Sequence, residues 1–128
     1  MSRRWFFWGA VLGALGVALG AFGAHGLRAW LPLQKMTIFE TAVRYHMFHA
    51  LAMLAVAAAE AQFPARAARL NTAGGLFAAG IVLFSGSLYL WALTDVSLFP
   101  FITPVGGLAL VAGWLAAAAA FWGRDHTP

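Results

Sequence analysis

Cysteine is absent from the 128 residues, and acidic side chains number only 4 against 8 Lys and Arg. The first absence removes disulfides, thiolate metal sites, cysteine-attached haem and a cysteine nucleophile together. The second belongs to a general scarcity of charge: 9% of residues are charged, where a soluble domain carries about 25%. So few charges cannot cover a water-exposed surface. The hydrophobic content of 62% stands well above the roughly 45–50% of soluble domains. The basic residues occur in ones and twos (Arg3 and Arg4, Arg28, Lys35, Arg44, Arg66 and Arg69, Arg124), so no stripe exists for a nucleic-acid backbone. Polar/apolar alternation over ten residues, the mark of membrane-barrel strands, is missing as well. What remains is a single helical membrane domain.

Four apolar runs are present. Trp5–Ala24 holds 20 residues without charge, about 30 Å as a helix and so the thickness of a bilayer core. Arg3 and Arg4 ahead of it resemble the start of a signal peptide, with a weak cleavage site at Ala21-Phe22-Gly23; the runs that follow make a retained first span the plainer account. Thr37 and Glu40 read as a capping box that starts a second helix at Ile38. Only Tyr45–Ala59 is uncharged within it, so its first turns are expected at the membrane surface. Thr72 reads as the cap of a third span. Thr103 as N-cap with Pro104 at the first helical position opens the fourth, after a loop bracketed by Pro100 and Pro104. The expectation is an all-α, polytopic four-helix transmembrane bundle in one domain, 1–128, with spans near 5–24, 38–60, 73–93 and 104–122. His25–Lys35, interrupted by Pro32, reads as a short interfacial piece.

Charge sets the expected orientation. Arg3, Arg4, Arg66, Arg69 and Arg124 fall on the side of the termini, and Arg28, Lys35 and Arg44 on the other. The positive-inside rule then predicts both termini in the cytoplasm. Trp5, Trp8, Trp30, Trp91 and Trp122 lie near span ends, as interfacial anchors.

Gly9, Gly13, Gly16, Gly20 and Gly23 follow spacings of 4, 3, 4 and 3, one seam without side chains for a neighbouring helix. In the second helix Glu40 and Arg44 share a face as an i,i+4 pair. Tyr45, His46 and His49 lie on the other side, and His25 at the end of the first span is expected to approach the same membrane surface. Hydrogen-bonded structural histidines are the plainer reading of these imidazoles; the sequence also leaves open a proton relay or a metal, and less readily a haem. Asp95 reads either as a helix cap or as a partner of Arg44, and Glu60 as a boundary charge. Ser85 and Ser87 read as packing and hydrogen-bonding residues.

These residues fall into four ordered motifs: Gly20-Ala21-Phe22-Gly23-Ala24-His25-Gly26-Leu27, Arg44-Tyr45-His46-Met47-Phe48-His49-Ala50-Leu51, Leu83-Phe84-Ser85-Gly86-Ser87-Leu88-Tyr89-Leu90, and Thr103-Pro104-Val105-Gly106-Gly107 followed by Gly113-Trp114. The chain resembles the YgdD/YwdK-like family of small membrane proteins, the domain of unknown function 423, related to transmembrane protein 256. The resemblance implies an integral protein of about four helices in the bacterial cytoplasmic (inner) membrane. It supplies no reaction or substrate to carry onto these residues. Many relatives are expected to carry glutamine at the place of His46, which leaves His25, Arg44, His49, Ser85 and Tyr89 as the candidates for a shared role.

The functional expectation is a structural or interaction component without catalytic activity, in contact with membrane lipid and with either a second copy (a homo-oligomer) or another membrane protein. No cofactor, metal or nucleic acid is expected. The rival is an oligomeric transporter or channel, for a small solute or proton-linked, with a polar path past His25, Arg44, His49 and Tyr89. Arg44 is expected to be the most sensitive charge, held by Glu40 or Asp95.

Overall fold

The computed structural model of the protein describes residues 2–123. Arg124, counted above for orientation, lies outside them. Helix α1 (Ser2–His25) is followed by a 3-10 turn, Leu27–Ala29, and by α2 (Leu33–Gln62). A second 3-10 turn, Pro64–Arg66, leads into α3 (Ala67–Gly80), which continues through a π-helical segment, Ile81–Ser85, into α4 (Gly86–Thr94). Helix α5 (Phe99–Ala120) is the last helix of the described residues. Among the described residues four stretches are long and apolar enough to cross a membrane: Ser2–Ala29, Leu33–Gln62, Pro64–Thr94 and Phe99–Ala120. The fold is an all-α transmembrane bundle. Within it α2 is the central member: 44% of its most apolar stretch is buried, against 39% for the span Pro64–Thr94 and 17% for each of the other two.

The helix starts differ from those read in the sequence, and one physical cause covers all three. Thr37, Thr72 and Thr103 do not cap. Each hydroxyl donates back to the carbonyl four residues earlier, at Leu33 (3.0 Å), Ala68 (3.1 Å) and Phe99 (3.2 Å), so each threonine lies inside its helix. Helix α2 therefore begins at Leu33, five residues before Ile38, behind Pro32. Helix α3 begins at Ala67 rather than near residue 73. Helix α5 begins at Phe99, with Pro100 in the first turn and Pro104 inside the helix. Apolar surroundings tolerate that second proline where hydroxyls and neighbouring helices re-satisfy the backbone, and the Thr103 hydroxyl also meets the Ser87 hydroxyl at 2.6 Å.

Helices α1 and α2 each carry a regular stripe: the α1 stripe meets α2 at Phe39, Val43, His46, Met47, Ala50 and Met53, while the buried α2 stripe also faces the other spans. Trp5, Gly9, Leu12, Gly16, Leu19 and Gly23 alternate spacings of 4 and 3 on α1, and Phe39, Ala42, His46, His49, Met53, Val56 and Glu60 do the same on α2. That 3.5-residue average keeps one seam in contact along the whole length of a helix pair. Between membrane helices lipid is as apolar as the partner, so close packing rather than water exclusion holds the seam. A Cβ at Gly9 would press on Ala50 O and Leu54, at Gly20 on Val43, and at Gly23 on Phe39. Gly13 breaks the sequence-read seam of five: a Cβ there meets nothing within 4 Å. Trp5 is likewise no surface anchor. It is buried, lies against Gly74 and donates from Nε1 to Asn71 Oδ1 at 2.9 Å.

Glycine matters most at position 106. A Cβ there would strike the backbone of Leu83 and Phe84 in the π segment, atoms that cannot swing aside. At Gly16 the obstacle is mainly the end of the flexible Met47 side chain. Gly106→Ala is therefore expected to lower bundle stability by about 2–3 kcal/mol, the upper range of overpacking costs. Gly16→Ala should cost less, and Gly13→Ala should be neutral or stabilising through helix propensity. Unfolding of the three variants in matched detergent micelles checks the order 106, 16, 13.

Candidate functional site

The interior polar groups gather around α2. His46 stands level with Gly16, inside the uncharged Trp5–Ala24 run of α1. Its Nε2 lies 2.7 Å from Leu12 O and its Nδ1 lies 2.8 Å from Tyr89 Oη. A carbonyl only accepts, so Nε2 carries the proton, and in the neutral ring Nδ1 accepts from the Tyr89 hydroxyl. Gly16 keeps this approach to the α1 backbone clear, for its missing Cβ would lie 3.3 Å from the imidazole Cδ2.

His49, one turn further, has the opposite tautomer. Its Nδ1 lies 2.7 Å from Tyr45 O and must donate, while Nε2 accepts from Trp114 Nε1 on α5 at 3.0 Å. Its ring also packs against Phe77, Trp114 and Tyr45. Buried Ser85, in the π segment, donates to Ala42 O at 2.8 Å. Ser87 joins α4 to α5 through Thr103. Each of the other three spans is thus hydrogen-bonded to α2: α1 through His46, the α3–α4 rod through Tyr89 and Ser85, and α5 through His49.

The charged residues pair differently from the sequence expectation. Glu40 meets Arg28 at 3.5 Å and not Arg44. Asp95 ends α4 in a left-handed conformation (φ 58°) and binds Lys35 at 2.5 Å, again not Arg44. Lys35 also reaches Trp91 O and stands 4.7 Å from the Trp91 ring centroid. The earlier start of α2 explains the second change, because it puts Lys35 in the first turn, where it fastens that turn to the end of α4. Arg44 is exposed and makes no ion pair or hydrogen bond with a described residue. His25 is exposed at the end of α1, with no contact to the two buried imidazoles. Among the described residues no group of three His, Asp or Glu is placed to hold a metal ion.

Three contributors went unread in the sequence. Trp114 was visible only as part of a motif, yet a tryptophan midway along an apolar run is too deep for an interfacial anchor and its N–H needs an acceptor. Asn71 accepts from both Arg4 and Trp5. Glu60, near the end of α2, faces inward: it continues the buried α2 stripe, is 4% exposed, and neither carboxylate oxygen has a hydrogen-bond partner among the described residues. On the lipid side, Tyr45, His49, Phe84, Pro104, Leu110 and Trp114 line an open groove of about 600 Å³.

Four spanning helices joined by buried side-chain hydrogen bonds define a polytopic membrane protein with a polar-tied interior. The family model described as "Protein of unknown function (DUF423)" matches residues 19–107, and the chain belongs to that family. It is 45% identical over 107 residues to the UPF0382 membrane protein YwdK of Bacillus subtilis (strain 168), covering 84% of this chain and 86% of that one. It is 41% identical over 117 residues to the UPF0382 inner membrane protein YgdD of Escherichia coli (strain K12), covering 88% and 85%. No solved structure matches the chain significantly.

The tautomers yield a test. A glutamine at 46 offers one donor for Leu12 O and one acceptor for Tyr89, as the neutral imidazole does. His46→Gln should stay within about 0.5 kcal/mol of wild type, whereas His46→Leu should lose about 1–2 kcal/mol, near the upper end for hydrogen bonds between membrane helices. Unfolding in micelles measures both. Equal losses for Gln and Leu would show that ring shape, not hydrogen bonding, fills this position.

Proposed function

We propose that this protein is a non-catalytic membrane component, a rigid bundle that acts through the contacts its outer faces make with lipid and with other membrane helices, copies of itself included. One observation carries the reading: both nitrogens of both buried histidines are occupied by helix-to-helix or local backbone bonds. An imidazole so held has its acceptor lone pair already in use, and its N–H ends on a backbone carbonyl, which hands no proton on. The outer faces, by contrast, are large and apolar, as on α5 at Phe101, Val105, Leu108, Val111 and Leu115.

The setting is the bacterial inner membrane, with both termini in the cytoplasm. Support comes from the end that holds the α2–α3 turn. Arg4 bonds Asn71 there, Arg69 donates to Ala119 O at 2.8 Å, and Arg66 donates to Ala120 O. These arginines collect at one end, where they also complement the C-terminal end of α5. Arg28, Lys35 and Arg44 lie toward the other.

The absence of cysteine makes single-cysteine labelling clean. In intact cells an impermeant thiol reagent is expected to label Ser97→Cys and not Ala67→Cys; the reverse pattern overturns the orientation. For the function, native mass spectrometry should find the chain with copies of itself or another membrane protein. Solute or proton flux in proteoliposomes that His49→Leu abolishes would replace the reading with a transporter.

A further inference from the structure

One charge on the outer face of α2, Arg44, is exposed and has no partner among the described residues. Val43 packs where a Cβ on Gly20 would stand, so Arg44 lies level with that part of α1. The uncharged run of α1 continues four residues further, to Ala24, which puts the Arg44 backbone about 6 Å beneath the end of that run. Side chains on a helix lean toward its N-terminus, and for α2 that direction leads back to the nearer membrane surface. Arg44 therefore reaches the headgroup level along the face that carries Glu40, one turn away. Arg28 comes over from the α1–α2 connection to the same Glu40.

The charges do not balance. Glu40 balances Arg28, which leaves one positive charge over, and Arg44 is the group without a partner among the described residues. Beside Arg28 and Glu40, the residues Leu31, Leu33 and Met36 complete an open pocket of about 320 Å³. Its floor is apolar and its rim is charged, which suits a glycerol backbone and a headgroup rather than a free ion. We propose that Arg44 and Arg28 bind the phosphodiester of an anionic phospholipid, with Glu40 accepting from headgroup hydroxyls such as those of phosphatidylglycerol. Arginine suits this task because its planar fork matches two phosphate oxygens. A zwitterionic headgroup would bring a second cation to a patch that already has one in excess. The site rests on the reading of the outer faces as lipid contacts and gives that reading a specific ligand.

The test uses the full chain in nanodiscs made of phosphatidylcholine with a minority of phosphatidylglycerol, with retained lipid counted by native mass spectrometry after release into mild detergent. Wild type is expected to retain phosphatidylglycerol in preference to phosphatidylcholine. Arg44→Gln should lose about fivefold of that preference, the scale of one basic residue at an anionic surface. Arg44→Lys should recover part of it, and circular dichroism identifies any variant that fails to fold. Lys35→Gln, which removes a basic residue at the same end already bound to Asp95, should leave the preference intact and controls for general charge. Equal retention of the two lipids by wild type overturns the site, as does equal loss in Arg44→Gln and Lys35→Gln. Competition by millimolar inorganic phosphate overturns it in favour of a soluble anion. Loss of self-association in Arg44→Glu that Glu40→Arg restores would assign Arg44 to a second copy. A wild type that assembles normally without lipid preference would fail this site alone and leave the proposed function standing.

Discussion

Hydrocarbon offers no water to an unpaired polar group, and α2 brings two imidazoles into it. That constraint arranges the rest of the bundle. Each ring must find a donor and an acceptor inside the protein, and three of the four partners found are on other helices. Leu12 of α1 and Tyr89 of α4 close on His46, and Trp114 of α5 closes on His49. The least apolar of the four spans is accordingly the most enclosed one. Its depth and its polarity are one fact, because only a central helix can reach all the partners its side chains require.

Close backbone approach makes those bonds possible. Gly16 lets an imidazole reach a carbonyl of α1, and Gly106 lets α5 rest directly on the π segment. The π segment carries Ser85 toward α2 and is followed, two residues on, by Ser87 facing α5. Such a segment inserts an extra residue into the helix and shifts the register that follows it. Here the shift falls where one rod must serve two neighbours. At the two ends of the bundle the work passes to charge: arginines hold the C-terminal carbonyls of α5, and Lys35 joins the start of α2 to the end of α4.

The spans could be read from the sequence because length and lack of charge suffice to define them. Helix starts could not, because a threonine before an apolar run looks the same whether it caps or bonds backward. Its own helix supplies the nearest acceptor, and Thr37, Thr72 and Thr103 all take it. Once α2 starts at Leu33, Lys35 gains access to Asp95, and the pairing expected for Arg44 disappears with it. The alternating spacing from Phe39 to Glu60 was present in the sequence throughout. Followed to its end, it puts Glu60 on the buried face; the polar turn after Glu60 drew attention to the boundary instead.

The opposite tautomers of the two histidines bear on how the chain is made. Translation delivers Leu12 and Tyr45 before the imidazoles they accept from, so each ring N–H has a carbonyl waiting as α2 leaves the ribosome. The groups that donate to the remaining ring nitrogens, Tyr89 and Trp114, come later in the chain. During synthesis α2 therefore enters the bilayer half satisfied, with α1 as its first companion. Each imidazole keeps one open acceptor that only the later helices can fill, and the order of synthesis becomes an order of assembly.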